Sequence, residues 1–502
     1  MTRCIFALLF AVSVASAQPD FYWAKRLVGQ MALGDDVLVG VACDRWGNVF
    51  ITGYSPQDQF YNDIWTIKYD AAGNQVWSRK FDGPASRDDR ATAISVDPQG
   101  NCYVVGYASS QSQGFDYVTL KYSPSGDLLW ARYYNGFSVG HDQAYAVVAD
   151  PDGGCFVTGD AWGGLNNVDC VTLRYDPNGS EVWASRYHGL GDLDDHGTAI
   201  CLDGAGNLIV AGNSFEGQEQ GPNYLTIKYN RHTGGQLWSR TYNGVGSGAD
   251  WAYAVCVDPD DNAIVTGRSW GGVGSAYDAA TVKYAGLDGE ALWSYSHGSD
   301  NNSSDQGNRI AADADGNVFV VGSTPAVFQG LNWLVIKLSS TGDHQWTRTH
   351  FGPSIFTDDA MGLHVNSDGS VIVGGYVYSN SDLREDFVAV QYGSVGSVDW
   401  TVSYDSGDQE DKTVGMVVSP QGYIYLVGTS RSSTTGRDYL LVRYKRGLPA
   451  DANGDCNVDD VDLALVLEAF GLTGDRPEDI DRDGIVSDSD LALVLEQFGL
   501  GC

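Results

Sequence analysis

The chain has 502 residues, too many for one ordinary compact core, and a formal charge of −34 at pH 7. Acidity on this scale argues against nucleic acid, where affinity comes from Lys and Arg neutralising phosphates, and against anionic membranes. The 63 glycines and 12% aromatic residues suit many short strands joined by glycine turns.

Residues 1–17, MTRCIFALLFAVSVASA, read as a secretory signal. Arg3 supplies the positive end, Ile5 to Val14 the apolar run and Ala15-Ser16-Ala17 the small-residue cleavage site. The run is too short to span a bilayer, and no other stretch is a transmembrane candidate. Cys4 precedes the apolar run, unlike a lipid-anchor cysteine. The mature protein is expected to start near Gln18 and to be secreted, extracellular or attached to a cell surface.

Residues 18–446 repeat. Tryptophans stand at 23, 77, 130, 183, 238, 293, 346 and 400, spaced by 53 to 55 residues. A period of this size marks stacked supersecondary units. In the first unit, Asp36–Asp44, Val49–Gly53, Asp63–Tyr69 and Val76–Phe81 read as strands separated by the turns 45–48 and 71–74. Four antiparallel strands per unit make a β-propeller blade, and eight copies predict an eight-bladed, all-β propeller rather than a seven-bladed one. The chain begins with a lone fourth-type strand, Tyr22–Val28, and leaves after three strands of the last copy. The N-terminal strand is therefore expected to complete the last blade and remove the exposed edge.

A glycine closes the second strand of every copy: Gly53, Gly106, Gly159, Gly212, Gly267, Gly322, Gly375 and Gly428. It implies positive φ or close approach to the next blade. Two polar rings are expected at one mouth. Asp36, Asp89, Asp142, Asp195, Asp250, Asp305, Asp358 and Asp411 lead into the first strands. Asp63, Asp116, Asp169, Asn223, Asp278, Asn332, Asp386 and Asp438 open the third strands. The rings serve either to cap loop N–H groups and tie blades together or to bind cations or a ligand. Eightfold equivalence is unlike a catalytic site, which needs a few unlike groups with separated pKa values.

Departures from the repeat are candidate ligand positions. Trp162 and Trp270 stand in the loops TGDAWGG and TGRSWGG, and Trp251, His141 and His196 lie by the leading loops at the same mouth. They read either as a sugar platform or as loop packing. The D-x-x-G-N turns at the opposite end read as Asx turns. Most cysteines in the repeat read as small buried residues, with Cys155 and Cys170 a candidate hairpin pair.

The motifs GNVFITG, GNCYVVG and GNVFVVG, each followed by a strand ending in Lys-Tyr or Lys-Leu, a Gly turn and a Trp, carry a resemblance across residues 21–446. The repeat resembles the bacterial SBBP-like propeller class. That implies a fold and little about activity. The aromatic strand is similar to that of quinoprotein propellers, but no Cys-Cys dipeptide occurs here. No nucleophile elbow, zinc motif or phosphate loop appears.

After the linker 447–450 the composition changes. Oxygen-bearing residues recur at the spacing of a 12-residue Ca²⁺ loop: Asp451, Asn453, Asp455, Asp459 and Asp462, then Asp479, Asp481, Asp483, Ser487 and Asp490. Asn457 and Ile485 take the position that donates a backbone carbonyl. Apolar helices are expected over Leu463–Phe470 and Leu491–Phe498. Residues 451–502 resemble a type I dockerin, implying two Ca²⁺ ions and docking to a cohesin-like or surface scaffold protein. By the same resemblance Asp460 and Val461, or Asp488 and Ser489, belong to the docking face. Cys456 replaces the usual loop glycine, and Cys456 with Cys502 is a candidate disulfide.

Together these features lead to an exported, non-catalytic propeller that binds protein or glycan and is attached through a dockerin-like module. The alternative is a carbohydrate-active enzyme, a polysaccharide hydrolase or lyase, carried by the same module.

Overall fold

The computed structural model describes residues 18–498, except 30, 32–33, 59, 111–113, 138–139, 165–166, 190–192, 218–220, 273–275, 300–302, 326–329, 380–383, 408–409, 446–457 and 474–484. The signal segment 1–17 and the linker 447–450 lie outside the described residues. Contacts divide the chain into a unit spanning 21–444 and a second formed by its two ends, 1–20 and 445–502.

The large unit is a propeller of eight four-stranded sheets. Seven blades take their strands consecutively, over 37–81, 89–134, 143–187, 195–242, 251–297, 306–350 and 359–404. The eighth has three strands within 410–445, and its fourth is Asp20–Leu27, beside Gly436–Lys445. The one-plus-three closure expected from the phase of the tryptophans is present. First strands of neighbouring blades lie against one another around the axis, and the tryptophan strands form the outer wall.

Second and third strands are buried almost throughout, their Thr and Lys included, because both faces of each sheet pack on neighbouring blades. In blade 2, Cys102, Tyr103, Val104, Val105, Val118 and Leu120 are all fully buried. The Trp of each fourth strand then docks on the next blade. Its indole N–H donates to a turn carbonyl there: Trp77 to Pro124, Trp130 to Pro177, Trp183 to Arg231, Trp238 to Gly286, Trp293 to Ser340 and Trp346 to Ser394, at 2.9–3.2 Å. Trp400 and Trp23 have no such acceptor among the described residues. The neighbour of Trp400 is the closed blade, whose last two strands come from opposite ends of the propeller sequence.

Each blade carries a β-bulge in its first strand, for example between Ala91 and Ala93, opposite Gly106. The bulge brings a first-strand carbonyl against the second strand. A Cβ on Gly106 would lie 1.9 Å from the Arg90 carbonyl oxygen, and one on Gly212 would lie 1.8 Å from that of His196. These glycines have ordinary negative φ. The constraint is therefore close approach, within the blade itself in every copy and, at Gly53, Gly159, Gly375 and Gly428, also to a side chain of the adjoining blade at 2.5–2.9 Å. The second strands also run past the glycine, as Val49–Pro56 does.

Six cysteines are described, all as free thiols. Cys155 pairs with Tyr175 and Cys170 with Asp160 across their hairpin, so the two cysteines do not face each other. Burial pushes the Cys170 thiol up to about 12, in keeping with an inert apolar residue.

In the end unit the described helices are Asp460–Glu468 and Asp488–Gln497. Each starts with a capping box, Asp459 with Asp462 and Ser487 with Asp490. Val458, Val466, Ala469, Val486 and Val494 form the small core between them. No described helix is long and apolar enough to cross a membrane.

Candidate functional site at the propeller mouth

The Asp ring at the mouth is built into the scaffold. All eight members are at most 2% exposed. One oxygen accepts the N–H of the residue two past the preceding blade's last strand, as Gly136 donates to Asp142 and Gly352 to Asp358. In Asp89, Asp142, Asp250, Asp358 and Asp411 the other takes a donor toward the far end of the second strand, such as Trp162 N–H to Asp142, Trp270 N–H to Asp250 and Tyr378 N–H to Asp358. One carboxylate thus ties three chain segments. Burial raises the pKa of every member; Asp195 reaches about 6.

Inside this ring lies a second set that does not repeat. It comprises the residue after each clamp Asp and the residue opposite it, just past the bulge glycine. The pairs include Arg90 with Tyr107, His196 with Asn213, Trp251 with Arg268, and Asp359 with Tyr376. These side chains reach across blade boundaries. His196 Nδ1 of blade 4 lies 3.1 Å from the Asp160 carboxylate of blade 3. Burial alone would lower the His196 pKa, but the bond to Asp160 together with the charges of Asp160, Asp194 and Asp195 outweighs it and the pKa is raised. Asn308 of blade 6 donates to Asp359 of blade 7 at 2.9 Å. Burial pushes Asp359 up to about 6 against the nearby Lys412 and Arg309.

Blade 5 is the most distinctive. Its Arg268 guanidinium lies 4.2 Å from the Trp251 ring centre and 4.9 Å from that of Tyr277. Tyr277 also meets Trp251 and Trp270 edge-on, at 5.5 and 5.2 Å. Arg268 has no ion pair or hydrogen bond among the described residues, and its Nε is buried without an acceptor. The result is an aromatic stack holding a cationic fork whose donors are free.

The five mouth residues singled out from sequence fall in different places. Trp251 and His196 belong to the non-repeating set, in adjacent blades. Trp270 joins the Trp251 stack through Tyr277 and covers Gly248. Trp162 lies over Gly140, and His141 packs on Phe115 at 5.1 Å. Those two cover a loop between blades 2 and 3. Sequence reasoning missed Arg268, Tyr277, Asp160 and Asp359, which occupy positions without a consensus. Two clefts of about 720 and 630 Å³ lie on the outer wall, beside Trp293 and Trp346. They sit at comparable grooves between outer strands and gather no comparable chemistry.

The turn end repeats closely. Asp44 accepts the N–H groups of Trp46 and Asn48 at 3.0 and 2.9 Å, and Asp97, Asp258 and Asp313 act likewise. These are Asx turns, as read from the sequence. A buried cation from the third strand meets the turn Asp in several blades: Arg174 with Asp150, Lys228 with Asp203 and Lys283 with Asp258, at 3.0, 2.7 and 2.6 Å. In blade 7 the two positions hold Asn366 and Gln391, and in blade 8 Ser419 and Arg443. Arg443, 1% exposed, packs instead among the rings of Tyr22, Tyr423 and Tyr425.

Residues 284–328 match the family model of the SBBP β-propeller repeat. The chain is a propeller repeat protein. Among solved structures it is similar to Sqt1 from Chaetomium thermophilum, at 11% identity and a TM-score of 0.52, over 86% of this chain and 100% of that one. BamB from Moraxella catarrhalis matches at 14% identity and a TM-score of 0.45, over 84% and 99% of the two chains. The quinohemoprotein alcohol dehydrogenase ADHIIG from Pseudomonas putida HK5 matches at 11% and 0.40, over 70% and 74%. Likeness at these identities speaks to fold alone. No curated protein matches the sequence.

Of the residues expected to hold Ca²⁺, Asp459, Asp462, Ile485, Ser487 and Asp490 are described, and Asp451, Asn453, Asp455, Asn457, Asp479, Asp481 and Asp483 lie outside the described residues. So do Cys456 and Cys502. Asp462 and Asp490 are fully buried at the same position of two equivalent segments, where each accepts the N–H of its helix's N-cap residue; a carboxylate there is of the chemistry a hard cation takes. Ile485 offers its backbone beside Thr473. Asp460, Val461, Asp488 and Ser489 are exposed in the first turns of the two helices.

Proposed function

We propose that the protein is an exported, non-catalytic propeller that binds glycan at its mouth. In this reading a Ca²⁺-dependent dockerin-like module attaches it to a cohesin-like scaffold or cell-surface protein. The single observation that carries glycan binding is the blade-5 stack. A pyranose offers an apolar C–H face and a rim of oxygens. The rings of Trp251 and Tyr277 suit the first, and the free donors of Arg268 suit the second. Attachment is supported by the doubled loop spacing and by the buried Asp462 and Asp490. Bound Ca²⁺ would supply charge neutralisation that orders both loops; the chain's own contribution is the pair of capped helices and their exposed first turns.

A glycan array probed with the full chain tests the first part. Binding is expected, without release of reducing or unsaturated sugar ends. Trp251→Ala and Arg268→Ala should each weaken it about tenfold or more. Turnover of a bound polymer would replace this reading with the enzymatic one. Unchanged binding in both variants would move the ligand away from the mouth. Pull-down from the host's surface fraction tests the second part: capture should require Ca²⁺, and capture that persists in EDTA overturns it.

A further inference from the structure

Three carboxylates converge where blade 1 meets blade 2. Asp63 begins the third strand of blade 1, Asp82 follows its fourth strand, and Asp89 opens blade 2. One oxygen of each lies within 4.8 Å of the other two. Asp89 is fully buried, Asp63 is 4% exposed, and Asp82 faces solvent. Their hydrogen bonding differs. Asp89 accepts from the backbone of Gly83 and Ser109. Asp82 uses one oxygen, Oδ2, to accept from Gln57 and Ser86, at 3.3 and 3.2 Å. Asp63 accepts nothing among the described residues, and its Oδ1 is buried.

A carboxylate buried without a donor is costly unless its charge is neutralised. The equivalent carboxylate is satisfied in three other blades, while Asp116 of blade 2, which also accepts nothing among the described residues, is only half-buried. Arg186 donates to Asp169 at 2.6 Å, Ser296 to Asp278 at 3.1 Å and Thr435 to Asp438 at 2.6 Å. In blade 1 the side chain placed like Arg186 is Lys80. It donates to Ser55 at 3.0 Å and lies 5.5 Å from the Trp65 ring centre. Lys80 eases the charge on Asp63 from a distance without pairing with it. The Asp82 position is also particular to this junction. Asn135, His188, Asn243 and Phe351 stand there at other junctions. Asp405 is the other acid, and it already accepts the N–H of Gly407 at 2.7 Å.

We propose that Asp63, Asp82 and Asp89 form a binding site for a hard divalent cation of calcium size, separate from the C-terminal loops. Oxygens around Ca²⁺ at 2.3–2.6 Å can stand up to about 5 Å apart, whereas the shorter bonds of Mg²⁺ limit them to about 4.2 Å. The three oxygens stand no more than 4.8 Å apart, within what Ca²⁺ can span. Burial pushes Asp63 to about 6 and Asp89 to about 7, and a bound cation would hold both ionised. It would also pin the end of blade 1 to the start of blade 2.

Calorimetric titration of CaCl₂ into the full chain tests this, using Asp82→Asn, Asp63→Asn and the control Asp405→Asn. The parent and the control should bind one Ca²⁺ more than either Asp82→Asn or Asp63→Asn, with a Kd on the order of 10⁻⁴ M for the extra ion. Asp82 is exposed and outside the clamp, so Asp82→Asn decides the matter if Asp63→Asn does not fold. Equal stoichiometry in the parent and a folded Asp82→Asn overturns the proposal. So does MgCl₂ binding there as tightly as CaCl₂.

Discussion

The two rims of the propeller are made by the same eight blades, yet one repeats and the other does not. At the turn rim, Asx turns, indole-to-carbonyl bonds and buried cation–carboxylate pairs recur from blade to blade. At the mouth the Asp or Asn near the start of each third strand recurs, and so does the clamp Asp. The side chains just inside it change from Arg90 to His196, Trp251 and Asp359. Groups that dock one blade on the next face the same geometry eight times. Groups that face the mouth are released from that constraint, and their variation is what motivates the proposed ligand site there.

The largest expected effect breaks the ring itself. Removing residues 18–28 takes away the closing strand and, with it, Tyr22 and Trp23 from the rings that enclose Arg443. We expect loss of the cooperative melting transition or a Tm lower by roughly 10 °C or more; an unchanged Tm would show that the eighth blade stands without it. Next is Gly159→Val, where a Cβ would lie 2.0 Å from the Gln143 carbonyl oxygen. It should cost about 3–5 kcal/mol by chemical denaturation. Trp130→Ala removes a blade-docking indole and should cost about 3 kcal/mol. None of these acts on ligand contacts, so a folded Trp130→Ala should keep its glycan affinity.

A smaller effect comes from pH. The clamp residues Asp195, Asp250, Asp305 and Asp358 have pKa values raised by burial. The folded state therefore holds their protons more tightly than the unfolded chain. That stabilisation is complete below about pH 4 and is lost as pH climbs through the folded values, near 6 for Asp195. Considered alone, these groups lower Tm between pH 5 and pH 8, by roughly a few degrees, and Asp195→Asn should flatten the slope seen by calorimetry. The smallest stability effect belongs to the mouth. Arg268→Ala should change stability by less than about 1 kcal/mol. A large loss there would mean that the stack is scaffold after all.

The fold was legible because its determinants are periodic. Trp23 to Trp400 set blade number and phase, and the phase located the closing strand. The glycine ring was legible as a constraint but only in part in its cause, since a bulge such as that between Ala91 and Ala93 leaves no mark in one strand alone. The candidate site was legible only in part. Trp251 and His196 stood out as residue types, whereas Arg268 and Tyr277 are ordinary residues in ordinary strands. Their meaning comes from the pairing of Trp251 with Arg268 and of Trp270 with Tyr277. Asp63, Asp82 and Asp89 likewise converge only once two blades are packed.

The closing strand has a consequence for how the molecule comes into being. Asp20–Leu27 meets Gly436–Lys445, so the bond from Arg26 to Ser430 spans 404 residues of chain. Seven blades can assemble from neighbours as they emerge, but the circle stays unlatched until its last strand has been synthesised. During that interval the first strand waits without its partner, a lone edge open to capture by another copy. A nascent chain of this kind gains from any helper that keeps its first thirty residues occupied until the last blade arrives.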